Sequence, residues 1–192
     1  MEERSRAHPT DELHGRRARL PAGDRSPGSR FVLLENAVRA GHATSDALAR
    51  AFGTADPWRL AESLELRLDL RDRCGDNPRL RSEVLDNPPT IVLYTEALGE
   101  LSRLLVLRAP RLACVALDTI AVAIELYRHL ERARPELLRG ATAGWPRVAR
   151  EVAAHAFAQE LLELPFFPAE IDAVDRLSRS PVHVRLRRPS AD

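Results

Sequence analysis

The spacing of apolar residues changes twice along this chain, and each change marks an element. In "TADPWRLAESLE", Asp56 stands where an N-cap is wanted and Pro57 at the first helical position. Trp58, Leu60, Ala61 and Leu64 then share one face. The apolar period next falls from about 3.6 residues to about 2. In "LRLDLRD", Leu66, Leu68 and Leu70 lie on one side and Arg67, Asp69 and Arg71 on the other, which predicts a half-buried strand. "CGDNP" reads as a turn, "RLRSEVL" alternates less cleanly, and "NPP" breaks the chain. "TIVLY" (Thr90, Ile91, Val92, Leu93 and Tyr94) is apolar at nearly every position and predicts a strand buried on both faces. Adjacent strands of this kind predict a small three-stranded sheet, mixed or antiparallel.

From Thr95 onward the helical period returns. "TEALGELSRLLVL" reads as a capped amphipathic helix. "PRLACVALDTIAVAIELYRHLERA" is the longest run and is apolar nearly all round up to Glu125, so it is expected to be the central buried helix. Pro135, Gly140, Gly144 and Pro146 mark a loop. "RVAREVAAHAFAQELLEL" forms the next helix, stopped by "PFFP", whose phenylalanines are expected to plug the core. "AEIDAVDRLS" forms a last short helix. Ahead of the sheet, "RFVLLENAVRAGHA" suggests a docking helix, and "TSDALARAFG" a separate one that opens on capping residues and stops at Gly53. Residues 1–30 are polar, without period, and read as disordered; residues 179–192 read as a loose tail. The expectation is a single α+β domain over residues 31–178, mostly helical in its C-terminal half.

Composition removes several functions. The 192 residues suffice for one domain with a real core. Net charge is +1, so no overall field points to nucleic acid or to an anionic membrane. All 29 basic residues are arginines; with aromatics at 5% of the chain, this reads as codon usage rather than as phosphate contacts. The helices expected at 44–53 and 56–65 are spaced like a helix-turn-helix, but the second carries no arginine row. No run of about 18 apolar residues predicts a membrane span. No apolar core of about 7–15 residues at the start predicts a secretory signal, so a cytoplasmic protein is expected. Cys74 and Cys114 form no C-x-x-C pair, and Cys114, within an apolar run, is expected in the core.

The chemical question lies in "AIELYRHLE", residues 123–131. Ile124 and Arg128 are four apart and stack one turn above the other, with Glu125 beside them. Histidine at both positions would give H-E-x-x-H, the zinc-binding helix of metallopeptidases. Four stretches in order carry a wider likeness: "TADPWRLAESLELRLDLRD", "NPPTIVLYTEALGEL", "ALDTIAVAIELYRHLE" and "REVAAHAFAQELLELPF". They resemble, in turn, the entry helix and first strand, the edge strand and following helix, the active-site helix, and the downstream helix of the ImmA/IrrE-type zincin-like metallopeptidases. The resemblance spans about residues 45–168 and implies a zincin-like fold, with the small sheet packed on the active-site helix. In active relatives two helix histidines and a downstream carboxylate hold zinc, and the helix glutamate is the general base on the bound water. Carried over position by position, Glu125 matches the base, Glu151 the downstream carboxylate, and Ile124 and Arg128 the two histidines. Isoleucine offers no lone pair and arginine brings a permanent charge, so no zinc and no other cofactor is expected.

The altered motif supports three readings. In the first, Arg128 bridges Glu125 and Glu151 and takes over the metal's charge, leaving a pseudo-metallopeptidase that recognises a protein or peptide segment in regulation. The resemblance places such a segment along the cleft-side edge strand, here Thr90, Ile91, Val92, Leu93 and Tyr94. In the second, a divergent metal-dependent peptidase or other hydrolase binds zinc through a relocated set, Glu125, His129, Glu151 and His155, two i, i+4 pairs on facing helices. In the third, Glu125 and Glu151 act as acid and base without a metal, and Arg128 holds an anionic substrate. The first is the expected function, with a protein segment as partner and neither nucleic acid nor membrane.

Overall fold

The computed structural model describes residues 27–140, 142 and 144–179; most of the two segments expected to be disordered or loose lies outside the described residues. The first helix, α1, spans Pro27–Phe52 and is continuous. The helix thus begins before residue 31, and the division expected at Thr44 is absent. Thr44 donates its hydroxyl to the Ala40 carbonyl at 2.7 Å and accepts the Arg139 N–H at 2.9 Å. A hydroxyl satisfied in this way sits inside a helix instead of capping one. Gly53, at φ 67°, ends the helix in the left-handed conformation that glycine adopts freely.

Helix α2, Pro57–Ser63, starts as its sequence suggests: the Asp56 carboxylate accepts the Trp58 N–H at 2.9 Å. Three strands follow, β1 at Arg67–Arg71, β2 at Ser82–Asp86 and β3 at Pro89–Tyr94. Their order is β1-β3-β2, with β1 parallel and β2 antiparallel to β3, so the sheet is mixed. This corrects the expected role of Thr90–Tyr94. Those residues pair with Arg67–Arg71 on one side and with β2 on the other, which leaves their backbone no free edge for a peptide. The burial of Ile91, Val92, Leu93 and Tyr94 is that of a central strand. On β1 the expected buried row holds only at its start: Leu66 is 5% exposed, whereas Leu70 is 64% exposed. Leu70 lines an open hollow with Thr95, Leu98, Ala116 and Leu117, which leaves its side chain largely uncovered.

The rest is helical: α3 at Thr95–Arg108, α4 at Leu117–Ala133, α5 at Arg147–Leu161 and α6 at Ala169–Arg179. Before α4 the chain makes a short turn at Pro110–Leu112, so the long helix is shorter than its apolar run suggested, and Cys114 is exposed rather than in the core. Helix α4 carries the main core, with Val122, Ala123, Leu126, Tyr127 and Leu130 packed against α2, β3 and α5. Phe166 is buried and plugs a second cluster under α3 and α6. Helix α1 runs against α5. At Gly41 the two backbones touch: a Cβ placed there would collide with the Ala153 carbonyl oxygen and stand 2.8 Å from the Phe157 nitrogen. Among the described residues the architecture is α+β, six helices around a three-stranded sheet, and no helix there is long and apolar enough to cross a membrane.

Candidate functional site

Because α4 is buried on almost every side, Glu125 on it is only 1% exposed. A buried carboxylate needs donors. Ser82, the first residue of β2, donates its hydroxyl to Glu125 Oε1 at 2.8 Å. Arg128, one turn further along α4, donates Nη1–H to the same oxygen at 2.6 Å. The other terminal nitrogen of Arg128 donates to Glu151 Oε2 on α5. One guanidinium therefore joins two carboxylates from two helices. Burial pushes the Glu125 carboxyl above its ordinary range, against the pull of Arg128 and Ser82. Burial works against charge on Arg128, but Glu125 and Glu151 together outweigh it and raise its pKa.

Arg128 stands between two hollows. One, of about 280 Å³, has walls of Leu98, Leu101, Ile120 and Ile124, with Arg79 and Arg81 among its polar lining. The other is an open groove of about 530 Å³ between β2 and the first turn of α5, lined by Val84, Arg132, Arg147 and Arg150 as well as by Ser82 and Arg128. Strand β2 is an edge of the sheet, and its open side faces this groove. Arg81 bonds inward through its carbonyl to the Tyr94 N–H at 2.8 Å. By antiparallel alternation Glu83 and Leu85 also face β3, so the backbone groups of Ser82, Val84 and Asp86 face outward. The Val84 carbonyl is taken by Arg132 Nη2 at 3.2 Å, and Arg132 also lies 3.6 Å from Asp86.

Of the residues singled out from sequence, the structure gathers Glu125, Arg128 and Glu151, while Ile124 lines the apolar hollow beside them. It does not gather the relocated ligand set. His129 is buried one position further round α4, where burial and then Arg132 lower its pKa, and its Nδ1 has no partner. The His155 ring is turned towards α6, with Nε2 at 3.9 Å from Asp172 and its centroid 5.8 Å from that of Phe167. Glu151 is committed to Arg128. Among the described residues no three His, Cys, Asp or Glu side chains are placed to hold a metal. Nor do the residues at the motif positions suit zinc: Ile124 has no donor atom, and Arg128 puts a protonated group between the two acids.

Sequence reasoning missed Ser82, whose only local mark is its place within the weakly alternating stretch "RLRSEVL". It also missed the clamp from Arg81, just before β2, to Asp172 and Asp175 on α6, both at 2.5 Å. Helical spacing makes Arg128 and Arg132 neighbours on α4, and Arg147 and Arg150 neighbours on α5, but only the fold brings the two pairs to one groove. Compared with family models, with curated proteins and with solved structures, the chain matches none.

Proposed function

We propose that this chain is a pseudo-metallopeptidase of the ImmA/IrrE type, a zincin-like scaffold in which recognition of a protein segment remains and zinc-dependent hydrolysis does not. The observation that carries the reading is the pair of hydrogen bonds that Arg128 donates, one to Glu125 and one to Glu151. These two acids occupy the positions that match the general base and the downstream ligand of active relatives. A guanidinium joined to both supplies one positive charge where an active relative would hold its metal, and it leaves no lone pair to activate water. The groove next to it offers the open edge of β2, which can accept an extended segment by backbone pairing without any metal. This edge replaces Thr90–Tyr94 as the receiving strand. Regulation of a partner by capture, rather than by cleavage, is the role that fits such a site.

The test is elemental analysis of the untagged protein beside the Ile124→His/Arg128→His variant, each incubated with zinc and then desalted. The expected result is no stoichiometric zinc in the wild type and about one zinc per chain in the variant, the number a single rebuilt site would take. Wild-type protein holding one zinc that disappears in Glu151→Gln would overturn the reading in favour of a working metallopeptidase. A folded double variant that takes no zinc would remove the link to the zincin site.

A further inference from the structure

We propose that the segment received at the β2 edge is acidic, an extended strand carrying Asp or Glu at every second position. The inference rests on the proposed segment-binding role of the same groove and names the chemistry of its partner. The side chains of Ser82, Val84 and Asp86 all point to the helical side of the sheet: Ser82 reaches Glu125, Val84 enters the α4 core, and Asp86 faces Arg132. A strand added beside β2 shares its pleat, so every second side chain would face the same way, about 6.6–6.8 Å apart along the strand.

What those side chains would meet is decided by depth. Four arginines and four glutamates line the groove, so formal charges cancel. Their exposures do not. Arg132 and Arg147 have side chains 43% and 86% exposed. By contrast the Glu125 side chain is 2% exposed and that of Glu131 is 14% exposed, and Glu83 is bonded to the Tyr94 hydroxyl at 2.5 Å on the other face of the sheet. Glu151, at 35%, and Asp86, at 69%, do reach the surface, but each is paired with an arginine, and the guanidinium groups of Arg132, Arg147 and Arg150 outnumber them along the wall that an incoming strand would touch.

Arg132 adds selectivity. It covers the Val84 carbonyl, one of the few outward acceptors of the edge, as charged side chains commonly guard exposed strand edges. A neutral strand would have to break that hydrogen bond and would offer the guanidinium no charged acceptor beyond Asp86, which already lies 3.6 Å from it. A carboxylate on the strand offers Arg132 a stronger acceptor and so frees Val84 for backbone pairing.

The experiment is fluorescence anisotropy with three labelled seven-residue peptides in which threonine alternates with glutamate, glutamine or lysine. The expected result is that the glutamate peptide binds the wild type at least about tenfold more tightly than the glutamine peptide, a gap that closes between about 50 mM and 0.5 M salt. Arg147→Gln, which alters a well-exposed side chain, weakens the glutamate peptide several-fold. Arg132→Ala weakens the glutamate peptide and tightens the glutamine one, because the guard is gone. Equal binding of glutamate and glutamine peptides, or preference for lysine, would overturn the acidic partner while leaving the receiving edge in place. No binding of any of the three would overturn both.

Discussion

Arg128 Nη1 lies 2.6 Å from Glu125 Oε1 across one turn of α4, and the carboxylate side of this pair is 2% exposed while the guanidinium is 35% exposed. The asymmetry fixes which partner depends on the other. Arg128 could turn to solvent, whereas Glu125 could not. Arg128→Ala is therefore expected to lower the unfolding free energy by about 3 kcal/mol, the lower end for stripping a buried charge of its partner, because Glu151 and the arginine are both partly solvated. Adding Glu125→Gln to that variant should restore part of the loss. Urea unfolding of the single and double variants measures both effects, and an equal loss in the two would show that the buried charge is not the cause.

His155 gives a pH dependence whose sign follows from its burial. Desolvation, and after it Arg128, lower its pKa from 6.5, while Asp172 and Glu151 act the other way. The unfolded chain accepts a proton below that ordinary value and the folded chain does not. Stability due to the neutral ring is thus present above pH 6.5 and is lost as pH falls through the lowered folded value, at up to about 1.4 kcal/mol per pH unit. Between pH 7 and pH 5 the wild type should lose stability relative to His155→Gln. Urea unfolding at a series of pH values reads this difference, and parallel curves would remove His155 as the cause.

The contact at Gly41 predicts a cost for a single methyl group. Gly41→Ala places a Cβ against the backbone of α5, where Ala153 and Phe157 have no side-chain freedom to give way. Helix α1 must move off α5, and the expected loss is about 1–3 kcal/mol, as for overpacked cores. Thermal unfolding of this variant beside Gly28→Ala, at a position with open space around it, isolates the contact.

Arg81 predicts which part of the molecule opens first. It is the tie between the start of β2 and α6, through Asp172 and Asp175. Arg81→Met is expected to speed amide exchange across residues 169–179 by about tenfold or more, and to leave α4 and α5 unchanged. Asp175 keeps Arg179 at 2.6 Å, so α6 should loosen without the chain as a whole unfolding. Mass-resolved hydrogen exchange distinguishes this from global destabilisation.

Most of the helices and strands were legible because they have a clean period or a cap, as with Asp56 and Pro57 before α2. The order of strands was not. An apolar run such as Ile91–Tyr94 reports that both faces of a strand are covered, and it says nothing of how many neighbours its backbone has; that is decided by where β1 and β2 arrive. Thr44 misled for a similar reason. Its preference for a cap is local, but its hydroxyl is satisfied by Arg139, far away in sequence. At the candidate site, helical spacing alone put Arg128 one turn from Glu125. The arrival of Ser82 on the same oxygen, and the turning of His155 towards α6, depend on tertiary packing that no local pattern encodes.

A charge carried by a side chain arrives when the chain is synthesised. Sites held together by a metal depend on the supply of that metal, and they come apart when a chelator or a competing protein removes it. The pair of acids between α4 and α5 has its counter-ion covalently attached, at a fixed stoichiometry and with no exchange. The pairing of these two acids therefore needs no metal ion, and a surface built on it does not depend on that supply.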